Sequence, residues 1–170
     1  ANMVGMAVGM ALSGKIPFSS TFSSFLLTRS FDQNRILGAY SQVPIKLVGS
    51  HGGISGGQDG PTQQAIEDVG LALLLPGYEI VVPCDDLQTR VAVRAIAYRP
   101  KPAFIRTGRP PAPIIYEQLE NFEIGKAIQL RDGKDIAIIA NGLMVAISLS
   151  AAKELEAKGI STRVLDMHTV

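Results

Sequence analysis

Short, continuous apolar runs alternate in this chain with longer segments of helical periodicity, and that alternation limits the fold more than any other feature. Residues 45–48, 80–82, 103–106, 135–140 and 161–165 read as strands, because each is a brief run of buried-type residues bounded by glycine, proline or polar positions. Helices are expected over 2–13, 22–40, 62–75, from Asp85 or Asp86 to about Tyr98, and over 144–158, where Gly159 supplies a left-handed stop. Strands without polar alternation are covered on both faces. The expected class is therefore α/β with a mostly parallel sheet, whose ligands bind beyond the carboxyl ends of the strands. The proline cluster Gly108-Arg109-Pro110-Pro111-Ala112-Pro113 opens a linker to about Asn121, and the strand–helix–strand unit after it begins a second body.

Composition excludes several classes of function. The chain is 46% hydrophobic and 18% charged, a globular rather than a disordered profile, and its 16 basic and 15 acidic residues leave a formal charge of +1. No bulk field draws it to nucleic acid or to an anionic membrane. The apolar stretch from Met3 to Leu12 is too short to span a bilayer. A single cysteine, Cys84, makes no intramolecular disulfide framework and fits a reducing compartment, which points to the cytoplasm. One cysteine and two distant histidines form no zinc spacing, and no nucleophile elbow, P-loop or dinucleotide fingerprint is present. Gly5 and Gly9, one turn apart on the first helix, suit either core packing or a close subunit interface.

The segment Ser50-His51-Gly52-Gly53-Ile54-Ser55-Gly56-Gly57-Gln58-Asp59-Gly60-Pro61 is the best site candidate from the residues alone. Five glycines let its backbone approach a ligand closely just after a strand, and a histidine, a carboxylate and, at Gln63, an amide supply donors and acceptors for hydroxyl and carbonyl groups. Spacing alone leaves two options open at each position: His51 as ligand or as a turn residue, and Asp59 as ligand or as a cap before the helix at Thr62.

Several ordered runs resemble the transketolase family: Asn2-Met3-Val4-Gly5, Pro17-Phe18-Ser19-Ser20-Thr21-Phe22, Phe31-Asp32-Gln33, residues 49–64, Ile105-Arg106-Thr107-Gly108-Arg109-Pro110 and Val164-Leu165-Asp166-Met167-His168-Thr169. The resemblance covers essentially the whole chain. It implies a thiamine-diphosphate (pyrimidine) domain over 1–120 and the start of the family's C-terminal domain over 121–170. It also implies transfer of a two-carbon ketol unit between ketose and aldose phosphates. In this family the cofactor lies in a cleft between the pyrimidine-binding domain of one subunit and a diphosphate-binding domain or subunit of the other. The chain would therefore be an incomplete enzyme working as part of a homodimer or an α2β2 assembly, with Mg2+ held by the domain it lacks.

By the same resemblance, Phe22 and Phe25 correspond to aromatics around the aminopyrimidine, and either Thr28 or Arg29 to a further pocket residue. His51 and Asp59 correspond to ligands of the sugar near the bond that breaks, Gln63 to a catalytic position held by histidine or glutamine, and Arg109 to the arginine that holds the sugar phosphate. The family's catalytic glutamate, which bonds the pyrimidine, is expected immediately before Ala1. Two departures from the family's motif bear on sugar specificity: Ala1 stands where glutamine or histidine is common in the family, and Gln58 where a glutamate is usual before the aspartate. Arg106 is expected in a surface ion pair or assisting Arg109, and His168 in a structural role. Related readings are a thiamine-diphosphate enzyme using a 2-oxo acid, of deoxyxylulose-phosphate synthase or dehydrogenase β-subunit type, and a non-catalytic paralogue.

Overall fold

The computed structural model describes residues 1–170. Its first body is a four-stranded sheet of β1 (Phe18–Phe22), β2 (Lys46–Ser50), β3 (Glu79–Val81) and β4 (Ala103–Arg106), all parallel, in the order β1-β2-β4-β3. Alternate residues point to opposite faces. Ile80 and Phe104 join Leu47 in a core that also takes Val4, Ala7 and Val8 of α1 (Asn2–Leu12) and Leu26, Leu27 and Ala39 of a helical arm. Val81, Ala103 and Ile105 face the other way, onto Ala92 and Ile96 of α4 (Asp86–Ala97). Both faces are covered, as the unbroken apolar strands require.

The helical arm between β1 and β2 is not a regular α-helix. A short α2 (Phe31–Gln33) is flanked by π-helical stretches over Phe25–Arg29 and Asn34–Tyr40. Phe22 is the last residue of β1, paired with Ser50, and not the first of the helix that periodicity suggested. This strand was not anticipated, because two serines and a threonine between its phenylalanines leave no continuous apolar run. Its inward positions there include Ser19, which is buried despite being polar.

Helix α3 (Asp68–Leu73) is also shorter than expected over 62–75. The chain from Pro61 to Gln63 is a turn, the Gly53 N–H then donates to the Ala65 carbonyl at 2.7 Å, and helix begins only beyond that bridge. Asp85, by contrast, caps α4 as its sequence suggests, accepting from Gln88 N at 2.8 Å. The other oxygen of the same buried carboxylate accepts the Ile115 and Tyr116 N–H groups, both at 2.9 Å, and so pins the proline-rich linker to the helix.

The second body contains β5 (Ile128–Arg131), β6 (Ile136–Ala140), α5 (Met144–Glu156) and β7 (Thr162–Asp166), with β6 and β7 parallel as the strand–helix–strand pattern implies. β5 pairs antiparallel with β7 and was not anticipated: only Ile128 and Leu130 are apolar, so no continuous run marks it. The chain end returns to the first sheet. Val82 N donates to the His168 carbonyl at 2.8 Å, and Val170 N to the Ile80 carbonyl at 3.1 Å.

Polar side chains reinforce this joint. Asp166, fully buried on β7, accepts Gln88 Nε2 at 2.6 Å and the Tyr116 hydroxyl at 2.7 Å, linking the second body to α4 and to the linker. Cys84 Sγ lies 3.7 Å from the same oxygen, and burial pushes its thiol well above the usual range, as does the neighbouring carboxylate. Cys84 is thus an inert core residue. His168 is buried and stacked on Phe122 with ring centroids 4.2 Å apart, the structural role expected of it.

Two stability measurements follow. Asp85→Ala removes one helix cap and two linker bonds and should lower unfolding free energy by about 2–4 kcal/mol in urea denaturation. Burial holds the His168 imidazole below its ordinary pKa, with Asp166 opposing more weakly. Below about pH 6.5 the unfolded chain binds a proton that folded His168 refuses. Stability is therefore complete above that pH and falls as pH drops, and the loss should be smaller in His168→Phe.

Candidate functional site

Three parallel strands, β1, β2 and β4, deliver their carboxyl ends side by side, and the loops that leave them meet. β1 ends at Phe22, β2 at Ser50 followed by His51, and β4 at Arg106, three residues before Arg109. Backbone bonds lock the strand ends together. Thr107 N donates to the Gly49 carbonyl at 2.8 Å, and Gly52 N to the Thr107 carbonyl at 3.0 Å.

His51 adopts a left-handed backbone conformation, φ 60°, which is uncommon for a residue with a side chain. That geometry turns its ring onto Phe22, with centroids 4.0 Å apart and planes inclined by 28°. Phe22 in turn stacks on Phe25 at 5.7 Å and 20°. The guanidinium of Arg29 covers the Phe25 ring at 5.1 Å from its centroid, whereas the Thr28 hydroxyl bonds back to the Ser24 carbonyl. Between the two alternatives, Arg29 is the one that stands against the aromatic wall. The π-helical turn explains why the register was ambiguous, since it holds one more residue than an α-turn.

Across the loop, a turn of 3-10 helix over Ile54–Asp59 swings Asp59 back toward the strand ends. Its Oδ2 lies 3.6 Å from His51 Nε2 and 2.9 Å from Arg109 Nε. The arginine contact is an ion pair whose angles fall short of a hydrogen bond, so this buried oxygen keeps an unused acceptor. His51 Nδ1 lies 3.0 Å from Ser50 Oγ, and the Arg109 N–H donates to Ser55 Oγ at 3.2 Å. Residues from three segments thus place an imidazole, a carboxylate and a guanidinium together, each side chain one-fifth to one-third exposed. Gln63 is not joined to them: its amide oxygen accepts from the hydroxyl of Thr62 next to it.

Beneath the loop is a layer that the sequence pattern does not reveal. Arg106 is not in a surface ion pair. Its Nε donates to Asp68 Oδ2 at 3.1 Å, and that carboxylate, 1% exposed, also accepts Ser23 Oγ at 2.6 Å. Asp68 and Ser23 gave no signal, because each is an ordinary polar residue far along the chain from its partner. No group of three or more histidine, cysteine, aspartate or glutamate side chains is arranged to hold a metal ion. No helix is long and apolar enough to cross a membrane.

Comparison with known proteins gives this geometry a lineage. Residues 1–113 match the transketolase pyrimidine-binding domain and residues 125–170 the transketolase C-terminal domain. The chain is 42% identical, over all its length and 53% of the relative's, to the 6-deoxy-6-sulfo-D-fructose transketolase subunit SqwH of Clostridium sp. strain MSTE9. It is 39% identical, over 98% of its length and 54% of the relative's, to one of the subunits of the apulose-4-phosphate transketolase of Phocaeicola vulgatus. A solved structure described as a split gene transketolase, inactive beta4 tetramer, superimposes with a TM-score of 0.91 at 40% identity, over 99% of this chain and 54% of that one. The chain spans about half the length of these relatives. Its sequence matches, its parallel sheet and its superposition agree: the chain belongs to the transketolase family.

Proposed function

We propose that this chain supplies the pyrimidine side of a thiamine diphosphate site, and the sugar-binding loop, of an enzyme that transfers a two-carbon ketol unit from a ketose phosphate to an aldose phosphate. One observation carries the reading. In a transketolase-family chain, Phe22, His51, Asp59 and Arg109 converge at the carboxyl ends of β1, β2 and β4. The offset stack of Phe22 and Phe25 suits a flat aminopyrimidine, which gains from stacking and from exclusion of water. The Asp59 carboxylate, 31% exposed beside His51 and Arg109, suits a sugar hydroxyl.

On this reading residues 1–120 form the pyrimidine-binding domain and 121–170 the start of the C-terminal domain. When bound, the thiamine group supplies the nucleophilic carbon and electron sink for breaking a ketose carbon–carbon bond. His51 and Asp59 orient the oxygens at sugar C1 and C2, and Gln63, whose amide oxygen is taken by Thr62 in this chain, joins them only by turning toward the sugar. Arg109 holds the terminal anion. A guanidinium pairs with phosphate or sulfonate through parallel donors, and the named relatives include one for each type of sugar.

Mg2+ belongs, in this proposal, to the diphosphate-binding domain or subunit that completes the cleft in a homodimer or α2β2 assembly. α1 supports such a partner. Met3, Met6 and Met10 line a groove of about 380 Å³ with Ile16 and Phe18, and a side chain added at Gly5 or Gly9 would meet nothing in this chain. Their smallness therefore serves no packing within it. The proposed setting is the cytoplasmic metabolism of pentose phosphates.

The test is reconstitution with the diphosphate-binding partner, thiamine diphosphate and Mg2+, followed by ketol transfer from xylulose 5-phosphate to ribose 5-phosphate. Asp59→Ala should lower kcat/KM by about 100-fold or more. Arg109→Ala should chiefly raise KM for anionic sugars and leave cofactor affinity in place. Cofactor binding without transfer would instead favour a 2-oxo acid substrate or a non-catalytic role.

A further inference from the structure

The loop that carries His51 rests on a charged side chain, not on an apolar floor. A Cβ added to buried Gly52 would lie 1.8 Å from Arg106 Nε and 2.4 Å from its Cζ, and one added to Gly53 would lie 2.7 Å from Nη2. Two consecutive glycines therefore lie directly against the guanidinium. The guanidinium is itself anchored. Nε donates to Asp68 Oδ2, and the same oxygen accepts Ser23 Oγ from the residue that follows Phe22. Asp68 Oδ1 takes the Val69 N–H at 2.8 Å, which ties the carboxylate to the start of α3. Gly49, at the end of β2, closes the other side: a Cβ there would lie 2.7 Å from Ser23 Oγ.

We propose that Arg106 is a positioning residue for His51. Clamped by Asp68 and Ser23, its guanidinium sets the turn His51-Gly52-Gly53 and so holds the imidazole against Phe22 and toward Asp59. His51 has a positive φ of 60°, a conformation that a residue with a side chain adopts only where its surroundings enforce it, and Gly53 at 62° accommodates the turn without cost. A flat, permanently charged plate can lie under two glycines while its edge pairs with a carboxylate. A lysine ammonium keeps the charge but has no such face. The relay is distinct from the sugar-facing set, since Arg106 contacts the loop from beneath and Arg109 pairs with Asp59 above it.

The catalytic meaning of this role rests on the proposed ketol transfer, but the positioning itself has an independent readout. The chain has two histidines, His51 and His168, and each ring is stacked on a phenylalanine. In the assembled enzyme, with 13C-histidine confined to these residues, both rings should show upfield ring-current shifts. Arg106→Lys retains a countercharge for Asp68. It should return the His51 ring signals toward their unstacked positions, with the His168 signals unchanged.

Gly52→Ala attacks the same contact from the loop side and should move the same His51 signals, with the double variant no worse than the more damaging single. Ketol transfer by Arg106→Lys should fall about 10- to 100-fold in kcat/KM with thiamine diphosphate affinity held within about twofold. His51 signals unmoved in both variants would overturn the proposal. So would loss of the His168 signals along with those of His51 in Arg106→Lys, because the guanidinium would then support the whole domain. Absence of transfer in the unsubstituted enzyme would count against the proposed function, leaving the histidine signals to decide the role of Arg106.

Discussion

The site depends on one buried carboxylate. Asp68 sits where the ends of β1 and β4 and the start of α3 come within reach of each other, and its two oxygens engage Ser23, Arg106 and the backbone of Val69. A carboxylate removed from water is costly unless it is paired and fully bonded, and this one is both. Its position also explains local features that look unrelated. Gly49, Gly52 and Gly53 have no room for side chains, and Arg106 points inward rather than to solvent.

The same device recurs at the joint between the two bodies. Asp85 holds the linker amides of Ile115 and Tyr116 against α4, and Asp166 holds the Tyr116 hydroxyl and the Gln88 amide against β7. Apolar contact alone is non-directional and would let two small bodies slide. Hydrogen bonds to a fixed carboxylate choose one arrangement. Lys46 does comparable work at the amino end of β2. Its buried ammonium donates to the carbonyls of Arg99 and Lys101 at 2.8 and 2.6 Å, and desolvation lowers its pKa despite the neighbouring Glu79.

Much of the fold was legible because parallel strands buried on both faces must be apolar throughout: β2, β3 and β4 lie within about two residues of the runs that announced them, and so do β6 and β7, although β6 is an edge strand that leaves Ile136 and Ile139 exposed. The misses share a cause. β5 is an edge strand with alternating polarity, α3 is delayed by a bridge between Gly53 and Ala65, and the arm at 25–40 is π-helical over most of its length. Each is decided by a tertiary partner or by one extra residue per turn, which periodicity does not record. In the site, His51, Asp59 and Arg109 were recognisable as residue types in a family pattern, and they do come together. The Phe22–His51 stack and the Asp68–Arg106 pair were not recognisable, because they join segments dozens of residues apart with no motif of their own.

On the proposed function, what the chain presents is one side of a site. Its aromatic wall, its Asp59 carboxylate and its guanidinium all lie at the sheet's carboxyl edge, and Phe22, His51, Asp59 and Arg109 keep part of their surface open there. Chemistry that depends on excluding water needs a second wall. The interior has been made rigid at some electrostatic cost, through Asp68, Asp85 and Asp166, while the functional groups have been left partly solvated. That division suits a half-site whose own loop geometry is set before a partner arrives: the partner has only to close over groups already aimed, and the ordering cost that a flexible glycine loop would add to assembly is met within this fold.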